Sequence, residues 1–309
     1  MTSTISNYHF RWIVALSSAL FLGMFIFSLV DLVRFTIHPS HSRYNSYIVL
    51  IPFISGYLIY LKRRKISENR RLCLVGGIPL VCLGLLLYMA SIQVGSSLNQ
   101  TDWISSRTFS VIVCWIGGFL LLFGIRSFRI ALFPLVFLVF LVPIPAVLMD
   151  NLSRFLQAAS TNVSYLLFQV IGVPVLREEF TIHLPGLSML IAPECSGMRA
   201  TITLFVLSVL AGHLYLRVGW RKIVAVASIF PITIVGNSIR IVVLTLMALH
   251  VNPGFMLSDN LLHARGGWLL FGIDLILLGG IIALLRINEA EDAETSSGKF
   301  AHISPGVRN

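Results

Sequence analysis

The chain has 309 residues, of which 56% are hydrophobic and only 12% are charged, and its mean hydropathy is +0.87. A soluble domain carries about 25% charged residues, so this composition excludes a soluble enzyme, a disordered protein and a disulfide-rich scaffold. It predicts an all-α fold, a polytopic bundle of membrane helices, because lipid can replace the charged surface that the chain lacks.

Stretches of about 20 apolar residues mark candidate membrane-spanning helices. About eight such stretches are present: 12–33, 45–61, 72–94, 108–125, 130–149, 196–216, 223–249 and 267–285. A weaker amphipathic stretch, 150–172, follows the fifth of them. We therefore expect an integral membrane domain over 1–286 and a polar tail over 287–309 without stable secondary structure.

The net charge of +10 reflects 23 Lys and Arg against 13 Asp and Glu. A dense basic run, Lys62-Arg63-Arg64-Lys65 followed by Arg70-Arg71, separates the second and third apolar stretches. Basic residues collect in cytoplasmic loops, so the run predicts that both termini are cytoplasmic and that the long segment 150–194 is on the outer, periplasmic side. We expect a multi-pass protein of the inner (cytoplasmic) cell membrane, with the lipid bilayer and not nucleic acid as its partner.

One part of the outer segment has strand character. Residues 175–184, Val-Leu-Arg-Glu-Glu-Phe-Thr-Ile-His-Leu, have partial strand character, and Pro185-Gly186 then indicates a turn. A small extended element on the outer side of the helical bundle is therefore expected.

Cys195 lies at the start of the sixth apolar stretch, immediately before residue 196, within Pro193-Glu194-Cys195-Ser196-Gly197-Met198-Arg199. A helix N-terminus favours negative charge, and Arg199 adds a positive charge one turn on, so we expect a lowered thiol pKa and a nucleophilic Cys195. The alternative is a cysteine at the membrane interface that only packs.

Arg240 and Asn237 lie one turn apart within the seventh apolar stretch. An Arg at the centre of a spanning helix costs at least about 2.5 kcal/mol. The pair should therefore face the bundle interior or a wet cavity, which Pro231 and Gly236 could open by kinking the helix. The alternative is a structural Arg whose side chain reaches the interface.

His263 precedes the last apolar stretch, again on the predicted outer side, with Asp259 four residues before it. Histidine titrates near neutrality and can carry protons, and Asp259 could orient it if the segment is helical. A lone interfacial histidine can equally be a bystander.

Together, Cys195, Arg240 and His263 supply a thiol nucleophile, an oxyanion stabiliser and a base, the parts needed for acyl transfer through a thioester. The predicted topology brings all three to the outer half of the membrane. No metal or cofactor is expected, because the four cysteines lack CxxC spacing and neither HExxH nor a phosphate-binding loop is present.

Three short blocks resemble the signature of the exosortase/archaeosortase family: Ala192-x-x-Cys195-Ser196-Gly197, Asn237-x-x-Arg240, and His263 followed by Gly266. This family comprises membrane-embedded cysteine transpeptidases. The resemblance implies that Cys195 is the nucleophile, Arg240 the transition-state stabiliser and His263 the acid/base, with Ser196, Gly197, Arg199, Asn237 and Asp259 in support. His263 is followed here by Ala264-Arg265, where an acidic residue is expected in many relatives.

The resemblance also implies the partners. The substrates would be secreted proteins with a C-terminal sorting signal (PEP-CTERM-like), which consists of a Pro-Glu-Pro-like motif, a spanning helix and a basic cluster. The acyl group would pass to a surface acceptor of unknown identity, in a system that accompanies exopolysaccharide production.

Two other functions stay open from the sequence. A membrane transporter would line its path with groups such as Arg240 and Asn237, and Asp31 and Asp274 are polar residues in apolar stretches that such a path could use. A non-catalytic assembly protein for exopolysaccharide export would tolerate replacement of Cys195.

Overall fold

A computed structural model describes residues 28–37, residues 45–251 apart from 70 and 96, and residues 261–301, together with Gly23 and Ile26. For Ser46, 261–266 and 291–301 it describes the backbone alone. The chain divides into two compact units, Met1–Met149 and Asp150–Asn309.

The first unit consists of helices of very different lengths. After the helix at 28–37 and a 3-10 turn at Ser46–Leu50, its helices are α1 (Ile51–Leu61), α2 (Arg63–Glu68), α3 (Leu74–Gln93), α4 (Gln100–Ile130) and α5 (Leu132–Phe137). A 3-10 turn at Leu138–Leu141 extends α5. The apolar stretch predicted at 45–61 thus forms a helical segment, Tyr47–Leu61, that is shorter than the roughly 20 residues that span a bilayer.

Helices α3 and α4 pack closely through small residues. A Cβ atom at Gly77 would lie 2.5 Å from the Leu121 Cα, and one at Gly117 would lie 2.7 Å from the Val81 nitrogen. Close backbone approach at glycines is typical of helix pairs in membranes, where van der Waals packing drives association. This pair is the centre of the first unit.

The fifth predicted span, 130–149, is broken. The chain leaves the helical path between Leu141 and Ala146, at Val142-Pro143-Ile144-Pro145, and bends by 84°. Proline cannot donate in a helix, and α4 instead holds the break: Ser105 Oγ donates to the Pro143 carbonyl, and the Asp102 carboxylate accepts from the Ala146 N–H, each at 2.8 Å.

A polar cluster joins the helix at 28–37 to α3 and α4. Arg107 donates to Asp31 at 3.1 Å and to the Tyr88 hydroxyl at 2.9 Å, and its guanidinium lies 4.6 Å from the Trp103 ring centroid. Asp31 is one of the residues that a transporter could have used to line its path. Its charge is instead compensated by an ion pair with Arg107 within this unit.

The second unit combines helices with a small sheet. Its elements are α6 (Ala146–Ile171), which begins in the first unit, β1 (Leu176–Glu178), β2 (Thr181–Leu184), β3 (Leu187–Leu190), a 3-10 turn at Pro193–Cys195, α7 (Met198–Tyr215), α8 (Gly219–Ala227), α9 (Ile229–His250) and α10 (Leu261–Ala301). The amphipathic stretch predicted at 150–172 is thus helical and forms most of α6.

The three strands form an antiparallel sheet in the order β1-β2-β3. Leu184 pairs with Leu187 across Pro185-Gly186, and Gly186 has φ +85°, as a type II turn requires at its second central residue. The extended element predicted from the sequence is confirmed.

Two apolar clusters hold the second unit together. One joins the sheet to α6 and α9: Phe168, Ile182, Leu184, Ile191, Ile241 and Val242. The other joins α7, α8, α9 and α10: Leu204, Leu216, Ala225, Ile229, Leu278 and Ile282. The first cluster positions the segment that carries Cys195.

The all-α, polytopic fold is confirmed. Among the described residues, five helical segments are long and apolar enough to cross a membrane: Leu74–Gln93, Gln100–Ile130, Met198–Tyr215, Gly219–His250 and Gly267–Ala290. The bent pair Leu132–Leu141 and Ala146–Ile171 makes a sixth if it is counted as one span. Most of the predicted span 12–33 lies outside the described residues.

The start of the polar tail is helical, against the prediction, since α10 continues to Ala301. Contacts explain why the helix passes residue 286. The Glu289 carboxylate accepts from the N–H groups of Arg217 and Val218 at 2.9–3.2 Å, and Arg221 donates to the Leu285 carbonyl at 3.0 Å. The domain boundary at 286 and the cytoplasmic side of the tail stay predictions.

Candidate active site

Cys195 ends a short 3-10 turn that follows β3. Its N–H donates to the Ala192 carbonyl at 2.8 Å, and the Ser196 N–H donates to the Pro193 carbonyl at 3.2 Å. The N–H groups of Cys195 and Ser196 are therefore occupied by hydrogen bonds within the turn. An anion that forms near the thiol thus draws no hydrogen bond from these two N–H groups.

The helix after Cys195 begins later than the sequence suggested. Helix α7 begins at Met198, and its cap is Gly197 with φ +77°. Cys195 therefore belongs to the preceding turn and not to the first turn of a spanning helix. Pro193 does occupy a first helical position, but in the 3-10 turn.

Gly197 is required both by its conformation and by close packing. A positive φ is costly for residues with a side chain. A Cβ at this position would also lie 3.1 Å from the Cβ of Asn237. Gly197 of the first sequence block thus lies against the asparagine of the second, and the neighbouring Ser196 is fully buried.

Asn237 holds the turn from α9. Its buried side-chain amide donates to the Cys195 carbonyl at 2.7 Å and to the Ser160 hydroxyl at 3.1 Å. The neighbouring Ser238 hydroxyl lies 3.1 Å from the Ser160 carbonyl, to which it donates. One amide group therefore links the turn, α9 and α6.

Helix α6 contributes two residues that the sequence reasoning missed, Gln157 and Ser160. Gln157 donates to the Ile191 carbonyl, where the segment that leads to Cys195 begins. At the Cys195 end of that segment, the Ser160 hydroxyl accepts a hydrogen bond from the Asn237 amide. The signal was a row of small polar residues on the buried face of the amphipathic stretch: Ser153, Gln157, Ser160, Thr161 and Ser164. That face packs inside the second unit.

The charge of Arg240 acts on the Cys195 thiol. Arg240 follows Asn237 by one turn of α9 and is half-buried. Burial against the apolar cluster that joins the sheet to α6 and α9 raises the pKa of Cys195, the Arg240 charge lowers it, and Glu194 raises it. Burial is the largest of the three, so the pKa lies above its ordinary value.

The predicted lowering of the Cys195 pKa is therefore wrong. Arg199, which was expected to contribute, is exposed, and its guanidinium lies 5.4 Å from the ring centroid of Trp268. Burial has the largest effect on this pKa, and the charges that act on it are those of Arg240 and Glu194, not that of Arg199. The Arg199–Trp268 contact does tie the first turn of α7 to α10, on which His263 lies.

His263 lies in the first turn of α10, five residues before Trp268. Its side chain is outside the described residues, as is Asp259. The convergence of His263 with Cys195 and Arg240 thus stays a prediction. Cys195, Asn237 and Arg240 do come together.

Asp274 packs against α9 beside this site. It is 4% exposed, and one carboxylate oxygen would lie 2.6 Å from a Cβ at Gly236. Gly236 therefore makes room for an acidic side chain against α9. Within the described part of the chain, no group of three or more His, Cys, Asp or Glu could hold a metal ion.

Fold and site together define a polytopic membrane protein with a half-buried thiol on which the charge of an arginine acts. The family model described as transmembrane exosortase matches residues 40–280, which is most of the chain. The protein belongs to the transmembrane exosortase family. No curated protein and no solved structure gives a significant match.

Proposed function

We propose that this protein is a cysteine peptidase or transpeptidase that cleaves the C-terminal sorting signals of secreted proteins through a thioester on Cys195. The observation that carries the proposal is the Cys195 turn, held by hydrogen bonds from Gln157 and Asn237 with the Arg240 charge acting on its sulfur. A fixed nucleophile beside a cation suits acyl transfer.

The first step forms the thioester. His263 takes the Cys195 proton, the sulfur attacks the scissile carbonyl carbon, and a tetrahedral oxyanion forms. Collapse of this intermediate breaks the C–N bond, and the proton on His263 goes to the leaving amine. Because burial raises the pKa of Cys195, the resting group is a neutral thiol that needs this base.

Arg240 stabilises the oxyanion. The N–H groups of Cys195 and Ser196 are engaged in the 3-10 turn, so a hole built from these backbone donors is not available. A guanidinium offers several N–H donors and a full charge that does not titrate near neutrality. Arg240 therefore takes the place of the backbone donors that many acyl-transfer enzymes use.

The second step releases the acyl group. An incoming amine or water attacks the thioester carbonyl, loses its proton to His263 and breaks the C–S bond, and the proton returns to the sulfur. An amine on a surface acceptor gives transpeptidation, and water gives hydrolysis. The reaction takes place on the outer, periplasmic face of the inner membrane, with both termini in the cytoplasm.

The test uses a tagged secreted protein that ends in a Pro-Glu-Pro-like motif, a spanning helix and a basic cluster. Co-expressed wild-type enzyme should process it, whereas Cys195→Ala and Cys195→Ser should not. Cys82→Ala is the matched control, because Cys82 is an exposed cysteine on α3. Continued processing by both Cys195 variants would refute the thioester mechanism, and mass spectrometry of the adduct trapped on Cys195 would identify the acyl group.

A further inference from the structure

The edge of β3 that faces away from β2 carries unpaired backbone groups. Leu184 and Leu187 flank a two-residue turn and form a hydrogen-bonded pair, so the pattern alternates along the strand. The Ile191 N–H confirms the alternation, because it donates to the Phe180 carbonyl at 2.9 Å. The N–H and C=O groups of Ser188 and Leu190 therefore point away from β2.

No hydrogen bond from the described part of the chain reaches these groups of Ser188 and Leu190. Both side chains are exposed, on the face of the sheet that also carries His183. An edge strand with free donors and acceptors is a template for pairing with another extended chain. Nothing within the sheet competes for that pairing, because β3 is its last strand.

The edge of β3 is fixed relative to the nucleophile. The strand runs directly into the segment Ile191-Ala192-Pro193-Glu194-Cys195. Gln157 holds the carbonyl at one end of that segment and Asn237 holds the carbonyl at the other. A chain paired with Leu190 is thereby held in register with the thiol.

We propose that the polypeptide to be cleaved binds as an extended strand along the edge of β3, which becomes the third of four strands, and that this pairing presents the scissile carbonyl to Cys195. The proposal rests on the proposed function and adds how the substrate is recognised. Backbone pairing supplies register, and side chains on alternate residues supply selectivity.

The other edge of the sheet does not offer an equivalent site. On β1 only Arg177 turns its backbone groups outward, because Leu176 and Glu178 pair with β2. The Arg177 side chain is itself bound to Asn162 and to the Glu179 carbonyl. No segment connects β1 directly to the thiol, since β2 and β3 intervene.

The first test removes one outward N–H. Leu190→Pro loses this donor without breaking the ladder, because proline is tolerated where the N–H faces away from the sheet, and Leu190→Ala keeps the donor. We expect processing of the tagged substrate to be about two- to tenfold slower in Leu190→Pro than in Leu190→Ala, the effect of one hydrogen bond. Alkylation of Cys195 by iodoacetamide should be equal in both variants, and equal processing would overturn the proposal.

The second test needs neither turnover nor the proline variant. A photo-crosslinking amino acid is placed at Leu190 or at Leu176 in the Cys195→Ala protein, with the tagged substrate co-expressed. The two positions are 64% and 61% exposed, so they differ in edge and not in accessibility. A crosslink from Leu190 alone supports the proposal, and its absence there, or an equal yield at Leu176, overturns it. Crosslinking at Leu190 without any processing by wild-type enzyme would instead refute the proposed function.

Discussion

At the scale of single residues, burial and charge oppose each other at Cys195. The apolar cluster that joins the sheet to α6 and α9 disfavours the thiolate, whereas Arg240 favours it, and burial has the larger effect. A thiol that is protonated at rest is protected from oxidants, because the thiolate is the reactive form. Its reactivity then depends on a base and on the guanidinium at the moment of reaction.

Arg240→Gln should affect both the acidity of the thiol and the chemistry. Removing the positive charge raises the Cys195 pKa further, so the pH profile of iodoacetamide labelling should shift to higher pH. Labelling at any fixed pH below the pKa should become slower. Processing of the tagged substrate should fall about 10²- to 10³-fold, the cost of an oxyanion donor. Mass spectrometry of the Cys195 peptide measures the labelling.

Arg199→Gln is the matched control for this experiment. Arg199 is an arginine of the same unit, but it is exposed against Trp268. Its replacement should leave the labelling profile in place. A profile that is unchanged in Arg240→Gln would mean that the guanidinium does not act on the sulfur.

At the scale of elements, α6, β3 and α9 jointly fix a turn of three residues. The sequence indicated the thiol, the Asn237/Arg240 pair and the amphipathic nature of α6. It could not indicate that Gln157 bonds Ile191 or that Ser160 meets Asn237, because these partners are 34 and 77 residues apart. The pKa prediction failed for the same reason, since the apolar cluster that buries the thiol is assembled from distant segments.

Gly197→Ala should disturb this arrangement. An alanine at this position must adopt a positive φ, which costs about 1–2 kcal/mol. Its Cβ would also lie only 3.1 Å from the Cβ of Asn237. We expect a lower melting temperature in detergent and at least about tenfold slower processing, because displacement of a reacting group by about 1 Å can cost 10²-fold.

Gly212→Ala, in the helix that Gly197 caps, is the control for Gly197→Ala. A Cβ at Gly212 meets Lys222 at an ordinary 3.8 Å, and alanine favours the helix by about 1 kcal/mol over glycine. Stability should therefore hold or rise, with processing unchanged. Equal effects of the two substitutions would show that Gly197 has no special part in positioning Cys195.

At the scale of the whole molecule, composition was enough to predict a helical membrane protein. The chain has too few charged residues to cover a surface exposed to water, so lipid must surround it instead. The number of spans was not predictable from apolar length alone. Residues 130–149 are apolar throughout, yet Pro143 and Pro145 break the helix, and Asp102 and Ser105 bind the freed backbone. Only tertiary contacts decide whether such a break is stable.

Orientation in the membrane is the prediction that joins the basic run to the site. In a variant with all four cysteines replaced by alanine, single cysteines are introduced as Glu68→Cys, Ser97→Cys and Glu178→Cys, each at an exposed position. In right-side-out vesicles a membrane-impermeant maleimide should label positions 97 and 178, and position 68 only after permeabilisation, because the basic residues around 68 hold that loop in the cytoplasm. Labelling of 68 alone would reverse the topology and place the sheet and Cys195 segment on the cytoplasmic side, where a secreted substrate could not reach them.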